Sequence, residues 1–289
     1  MTSVNAHIEP VSRLQKRRPI GIVNYQPRCL ENLRIVEAYQ QGQRTMTHVQ
    51  VKDATPWQTY ERICSIKLGE NNPAVIAEKR GSSGHVVAIT PIDKHLLNSM
   101  AHLLKSTQHP NLTTVHELYR DNDQSYVVSE YMPRSLQEVI GNPFLNDSRL
   151  AAIIGQIVEG LDFLEKEKLQ YSELNCSRIL IHSSGWVKIS GREYIKALDT
   201  QRRNIRDLGC VMMELMQGYV KEGPQVGLDN PDRWAPDTIN FLCATTSAPS
   251  IDELKGHSFL ASWNRRKLQG LFCLVLTWSQ VEYEYAGWH

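Results

Sequence analysis

No run of the sequence reaches the roughly 20 apolar residues a membrane-spanning helix needs. Its longest apolar stretch, Leu268 to Trp278, is expected to be a buried helix. Charge of one sign is also missing: 32 Lys and Arg stand against 31 Asp and Glu, a formal net charge of +1. Nothing of that kind draws the chain to nucleic acid or to a membrane. The opening MTSVNAHIEP is not a charged-then-apolar signal, so the expected location is intracellular, cytoplasmic or nuclear. Cys29, Cys64, Cys176, Cys210, Cys243 and Cys273 include no CxxC pair, and they read as reduced thiols, several of them in the core. His85, His95, His102, His109 and His116 lack Cys or carboxylate at ligand spacing, so no metal site is expected.

What remains is an ordinary soluble composition, with 41% apolar and 22% charged residues over 289 positions. That length can bury a large core. Residues 1–55 are polar and irregular, with a basic knot at Arg13, Lys16, Arg17 and Arg18 that reads as a solvated tail or an import signal. Ordered patterning begins near Trp57. Strand-like runs at Ala74–Lys79 and His85–Thr90 flank Gly81-Ser82-Ser83-Gly84, a hairpin turn. Leu96, Leu97, Met100, Leu103 and Leu104 then keep one helical face, which should stop before His109-Pro110. Thr113–Tyr119 and Ser125–Glu130 add strands.

From Leu150 onward helices dominate. Leu150, Ile153, Ile154, Ile157, Val158, Leu161 and Leu164 hold a stripe over successive turns. A short hairpin, Arg178–His182 with Trp186–Ile189, precedes a helix over Ile205–Met216 and helical segments at Pro236–Thr245, Ile251–Leu254 and Trp263–Trp278. Sheet first and helices second predicts an α+β fold in two lobes. The small β-rich N-lobe is placed at about 56–130 and the larger helical C-lobe at about 131–289.

Several words in this order resemble the eukaryotic protein-kinase family. His109-Pro110-Asn111-Leu112 resembles the turn after that family's helix C, and Tyr126–Met132 its fifth strand and hinge. Gln156–Leu164 is similar to its helix E, Asp207–Leu215 to its helix F, and Glu253-Leu254 with His257–Leu260 to the end of its domain. The likeness covers roughly Trp57 to Leu260.

The resemblance implies where phosphoryl-transfer groups should stand, since that chemistry is mostly positioning and charge neutralisation. The glycine loop falls at Leu68–Val75, where only Gly69 remains. The lysine position holds Thr90, and Lys79 on the preceding strand reads as a solvated hairpin residue. The helix C glutamate aligns with Met100, and no carboxylate lies between Asp93 and Glu117. The catalytic loop reads Tyr171–Arg178: Glu173 stands where the base belongs, Asn175 where a lysine would be, and Arg178 where an asparagine would hold magnesium. Arg178 is electrostatically hostile to a divalent ion and suited to a phosphate or to Glu173. Gly191 replaces the aspartate of the metal-binding tripeptide, and Glu193 reads as a surface salt-bridge partner. Only a dozen residues separate Gly191 from Asn204, too few for a full activation segment.

A nucleotide cleft in this sequence would be lined by Gly69, Val75, Ala88, Glu130 and Met132. With no intact catalytic set, the chain is expected to be a degenerate member of the family, without cofactor, acting on another protein as a scaffold or allosteric module. The alternative is an ATP-dependent Ser/Thr-type kinase that binds ATP and magnesium through unorthodox residues. The aromatic C-terminus (Trp278, Tyr283, Tyr285, Trp288) reads either as a partner anchor or as packing against its own lobe.

Overall fold

The computed structural model describes residues 49, 51–67, 73–82, 84–121, 124–199, 202–221, 227–278 and 284–285. The N-terminal half is one sheet of seven strands in the order β1-β5-β6-β4-β3-β2-β12. Its strands are β1 Val51–Lys52, β2 Tyr60–Lys67, β3 Pro73–Lys79, β4 Val86–Ile92, β5 Val115–Arg120, β6 Ser125–Glu130 and, from the far end of the chain, β12 Glu284–Tyr285. Period-two alternation sorts side chains to two faces. Cys64, Ile66, Ala74, Ile76 and Ala88 gather on one, and Tyr60, Ala77, Val87, Ile89 and Val128 on the other. Gly81 and Gly84 take φ of 73° and 85° in the β3–β4 turn, the left-handed region open to glycine.

The sheet extends beyond the range 56–130 at both ends of the chain. Strand β1 pairs parallel to β5, and β12 pairs antiparallel to β2. Each covers an edge that would otherwise offer unpaired amides and carbonyls. Two-residue strands carry too little alternation to be read from sequence. The tail boundary drawn at residue 55 therefore falls inside the sheet.

Glu117 fixes the β1 edge. It accepts from Lys52 Nζ at 2.7 Å, Tyr119 Oη at 2.6 Å and Tyr60 Oη at 3.2 Å. Burial alone would raise its pKa, but the bonds from Lys52 and the tyrosines hold the carboxyl below its ordinary value. A depressed carboxylate contributes stability above its unfolded pKa that is lost as pH falls through the folded one. Glu117→Gln should therefore lower the unfolding free energy by about 1–2 kcal/mol at neutral pH. The deficit should shrink below about pH 4. Urea unfolding between neutral pH and pH 3 measures both.

Helix α1, Lys94–Leu103, is capped by Asp93, whose Oδ1 accepts from His95 N at 3.0 Å. Leu97 and Met100 are buried with Leu118 and Val127. Leu96 is 38% exposed, so the five apolar positions are wider than the buried face.

In the C-terminal half, α2 (Asp147–Lys166) runs through the core and buries Leu150, Ile153, Ile154, Ile157, Val158, Leu161 and Leu164. Around it lie α3 (Arg202–Gln217), α4 (Pro236–Ser247), α5 (Ile251–Lys255) and α6 (Lys267–Trp278). Helix α6 starts at Lys267, later than the expected Trp263, whose indole lies against Gly155 of α2. A Cβ at Gly155 would meet that ring at 2.6 Å. As expected, α6 is buried through Leu268, Leu271, Phe272 and Val275.

Short strands complete this half: β7 Arg134–Ser135, β8 Leu169–Tyr171, β9 Ile179–Ile181, β10 Val187–Ile189 and β11 Ile195–Ala197. Strand β9 pairs with β10 across Gly185, and β11 with β8. The link from β11 to α3 is only 198–201, in keeping with the shortened segment expected from sequence. Cys64 and Cys176 are buried free thiols, whereas Cys243 and Cys273 are exposed. Among the described residues no helix is long and apolar enough to cross a membrane. The glycine-loop remnant at Gly69, the basic knot, and the side chains of Trp278, Tyr283, Tyr285 and Trp288 lie outside the described residues.

Candidate functional site

Between the sheet and the helical half lies a cleft that encloses about 70 Å³. Pockets for drug-sized ligands run to about 300–1,000 Å³. Ala74 and Ala88 form its roof and Met132 and Leu180 close the other side, all four buried in one apolar cluster. Ala88 and Met132 thus meet where the sequence placed them. Val75 does not, because it packs with the outer face of the sheet and Ala74 takes the inward position. A one-residue slip exchanges the faces of a strand.

Glu130 lines the cleft, yet its carboxylate is turned to the buried Lys188, with Nζ–O distances of 2.7 and 2.8 Å. It also accepts from the amide of Thr114 at 2.6 Å. Lys188 sits mid-strand in β10, and nothing in its neighbours in sequence marks it as the partner of a hinge residue.

At the back of the cleft stand Thr90 and Met100. Met100 is 2% exposed, and α1 offers no carboxylate there. That space is occupied by Arg192, which is 4% exposed. Its Nη1 donates to the carbonyl of Thr107 at 2.6 Å, and its Nε and Nη2 donate to that of Thr113 at 3.1 and 2.7 Å. Among the described residues no carboxylate pairs with it, and burial lowers its pKa to about 10. Arg192 is the site residue that the sequence reading missed. Gly191 before it has φ of 72°, and a Cβ there would meet Tyr194 at 2.8 Å and the Tyr171 hydroxyl at 3.0 Å.

Lower down, Arg178 and Glu173 form an ion pair at 2.9 Å. The guanidinium also stacks 3.4 Å from the ring centroid of Tyr194. Burial alone would lower the Arg178 pKa, but Tyr194, Tyr171 and Glu173 raise it. The pairing of this arginine with Glu173 is one of the two partners its charge suggested. Asn175 caps the turn before Arg178, its Oδ1 accepting from Arg178 N at 3.2 Å and from Ser177 Oγ at 2.6 Å. Glu193 forms no ion pair among the described residues, contrary to its reading as a salt-bridge partner. Burial raises its pKa, against a backbone hydrogen bond and the nearby Arg178 charge, both of which lower it. Lys79 is exposed at the far end of β3.

Residues 74–202, from β3 to the start of α3, match the family model of the protein kinase domain. This match and the curated kinase relatives support a protein-kinase-like domain over that part of the chain. Its α+β architecture, with a sheet-built N-lobe and a helical C-lobe, is that of a kinase domain. It is 28% identical over 190 residues to cyclin-dependent kinase-like 4 of Mus musculus, covering 61% of this chain and 54% of that protein. It is 28% identical to NUAK family SNF1-like kinase 2 of Rattus norvegicus, over 43% of this chain and 21% of that protein. With serine/threonine-protein kinase max-2 of Caenorhabditis elegans the identity is 26%, over 48% of this chain and 23% of the relative. The chain thus spans about half or less of the length of these curated relatives. Thr90 lies on β4, Met100 on α1 and Arg178 at the end of a short turn, while Glu173, Asn175 and Gly191 stand in the connecting loops.

Proposed function

We propose that this protein-kinase-like chain acts by binding another protein and does not transfer phosphoryl groups. The observation that carries this reading is Arg178, a cation held by Glu173 and Tyr194 at the position that the resemblance assigns to a magnesium-holding asparagine. The residues present do not fit a magnesium–triphosphate. Glu173 is committed to Arg178, and Thr90 offers no charge to phosphate. Lys188 is committed to Glu130. Among the described residues no group of three His, Cys, Asp or Glu could hold a metal ion.

Loss of one charge-stabilising group typically slows a reaction by about 10²–10³, and of a general base by about 10²–10⁴. Such losses do not add, because the groups act as a unit. Several together leave no route to useful turnover. Incubation of the full chain with γ-labelled ATP, Mg²⁺ or Mn²⁺ and a mixed protein substrate should give no label above that of the heat-denatured chain. Transfer that disappears in Glu173→Gln would overturn the proposal.

A further inference from the structure

Beside the cleft, a buried ion pair joins the sheet to the helical half: Glu130 of β6 with Lys188 of β10, their side chains 17% and 9% exposed. The pair sits among three imidazoles. His85, from the β3–β4 turn, lies 5.9 Å from His116 of β5, ring centre to ring centre. His182 follows β9, and its amide donates to the carbonyl of Trp186 across the hairpin. Cross-strand pairing and alternation put His182, Trp186 and Lys188 on one face of β9–β10. Lys188 Nζ lies 5.9 Å from the centre of the Trp186 ring. The charges of Glu130 and Lys188 bear on both His116 and His182. Other charged groups around them are engaged elsewhere. Glu117, next to His116, accepts from Lys52 and Tyr119. Arg134 of β7, opposite Ile181, pairs with Glu138 at 2.9 Å, and Arg265 stacks 4.2 Å from the Trp186 ring.

Both rings are held in the neutral form. His182 Nδ1 accepts from the amide of Ser184 at 3.2 Å and lies 2.7 Å from the Ser184 hydroxyl, so its single proton is on Nε2. A second proton can enter only at Nδ1, where it displaces the bond from the amide. Burial lowers the pKa of His182, opposed by Glu130 and helped by Lys188. Burial also lowers that of His116, opposed by Glu130 and Glu117 and helped by His85 and Lys188. A histidine whose folded pKa is the lower one binds fewer protons folded than unfolded. Stability at this junction therefore declines as pH falls below about 6.5, and the loss is complete below the folded pKa values.

We infer that His116 and His182 form an acid-operated latch on the Glu130–Lys188 bridge. When both rings are protonated, Glu130 is shared among three cations and the amide of Ser184 is released. The bridge then opens, and hairpin β9–β10 parts from the end of β6. This device goes beyond the binding role proposed above and does not depend on it. Hydrogen exchange on the full chain without nucleotide tests it, at about pH 7.5 and about pH 5.5, with each amide rate scaled to its intrinsic rate at that pH. Protection over 125–132 and 179–189 should fall by at least about tenfold at the lower pH, while that over 150–164 of α2 stays within about twofold. The double variant His116→Gln/His182→Asn, which keeps an acceptor at residue 182 but takes up no proton, should lose most of that fall. His116→Gln alone should reduce it, which keeps the test open if the double variant does not fold. His95→Gln, exposed on α1, should leave it unchanged. Glu130→Gln should show the low protection already at the higher pH, with a melting curve there to confirm that it is folded. No fall in the native chain, a fall of equal size in the histidine variants, or full protection of Glu130→Gln at both pH values would overturn the latch.

Discussion

Arg192→Glu is expected to lower the unfolding free energy by about 4–5 kcal/mol, the scale for leaving a buried charge uncompensated. The native guanidinium is itself costly to bury. Burial lowers its pKa to about 10, which corresponds to roughly 3 kcal/mol against the charged form. Because the folded pKa is the lower one, this cost is fully present below pH 10 and is relieved only as pH rises from there towards the ordinary arginine value. Three hydrogen bonds to the carbonyls of Thr107 and Thr113 offset it. Glutamate at the same point would place an acceptor against those carbonyls. Its folded pKa would be raised, so the deficit should be smaller at pH 4 than at pH 8. Arg192→Lys keeps the charge but loses the fork, and should cost about 1–3 kcal/mol. Urea unfolding of the three proteins gives the order; a loss below about 1 kcal/mol for Arg192→Glu would mean that Arg192 is not held as described.

The second large effect is expected at Gln156, fully buried in α2. Its Nε2 donates to the carbonyl of Gly185 at 3.0 Å, and its Oε1 accepts from the amide of Val187 at 3.0 Å. Asn111 Nδ2 adds a bond to the Val187 carbonyl at 3.0 Å. Together they bolt the β9–β10 hairpin to α2 and so set the height at which Ser190, Gly191 and Arg192 enter the cleft. Gln156→Leu has nearly the same volume but leaves an amide and a carbonyl buried without partners, at about 1–3 kcal/mol each. The expected total is about 2–6 kcal/mol, and the melting temperature should fall by about 4–20 °C. Gln156→Glu, which keeps the acceptor, should differ in keeping the Val187 bond. An unchanged melting temperature in Gln156→Leu would show that the hairpin is positioned by apolar packing alone.

Legibility in the sequence followed the strength of each local signal. Helix α2 was plain because seven apolar positions repeat at helical spacing, and β6 was read to its exact ends at Ser125 and Glu130. His109-Pro110-Asn111-Leu112 was legible as a family word, and its side chains tie the turn in place: Asn111 reaches across to β10, and His109 stacks on Phe163 at 4.9 Å. Strands β1 and β12 were invisible, since two residues pair only through partners far along the chain. At the site, the sequence could name what Thr90, Arg178 and Gly191 had replaced. It could not show what fills the vacated space. Arg192 bonds to residues 79 and 85 positions away, and Lys188 to one 58 away, separations that no motif encodes. Val75 was misplaced because the glycine-loop register leaves the phase of alternation undecided by one residue.

The central claim is that the cleft holds no metal-bridged nucleotide, and calorimetric titration of the full chain with ATP in the presence and absence of Mg²⁺ tests it most directly. The account predicts no magnesium-dependent heat and no magnesium-dependent rise in melting temperature. Saturable binding that requires Mg²⁺ and is lost when EDTA is added would contradict it.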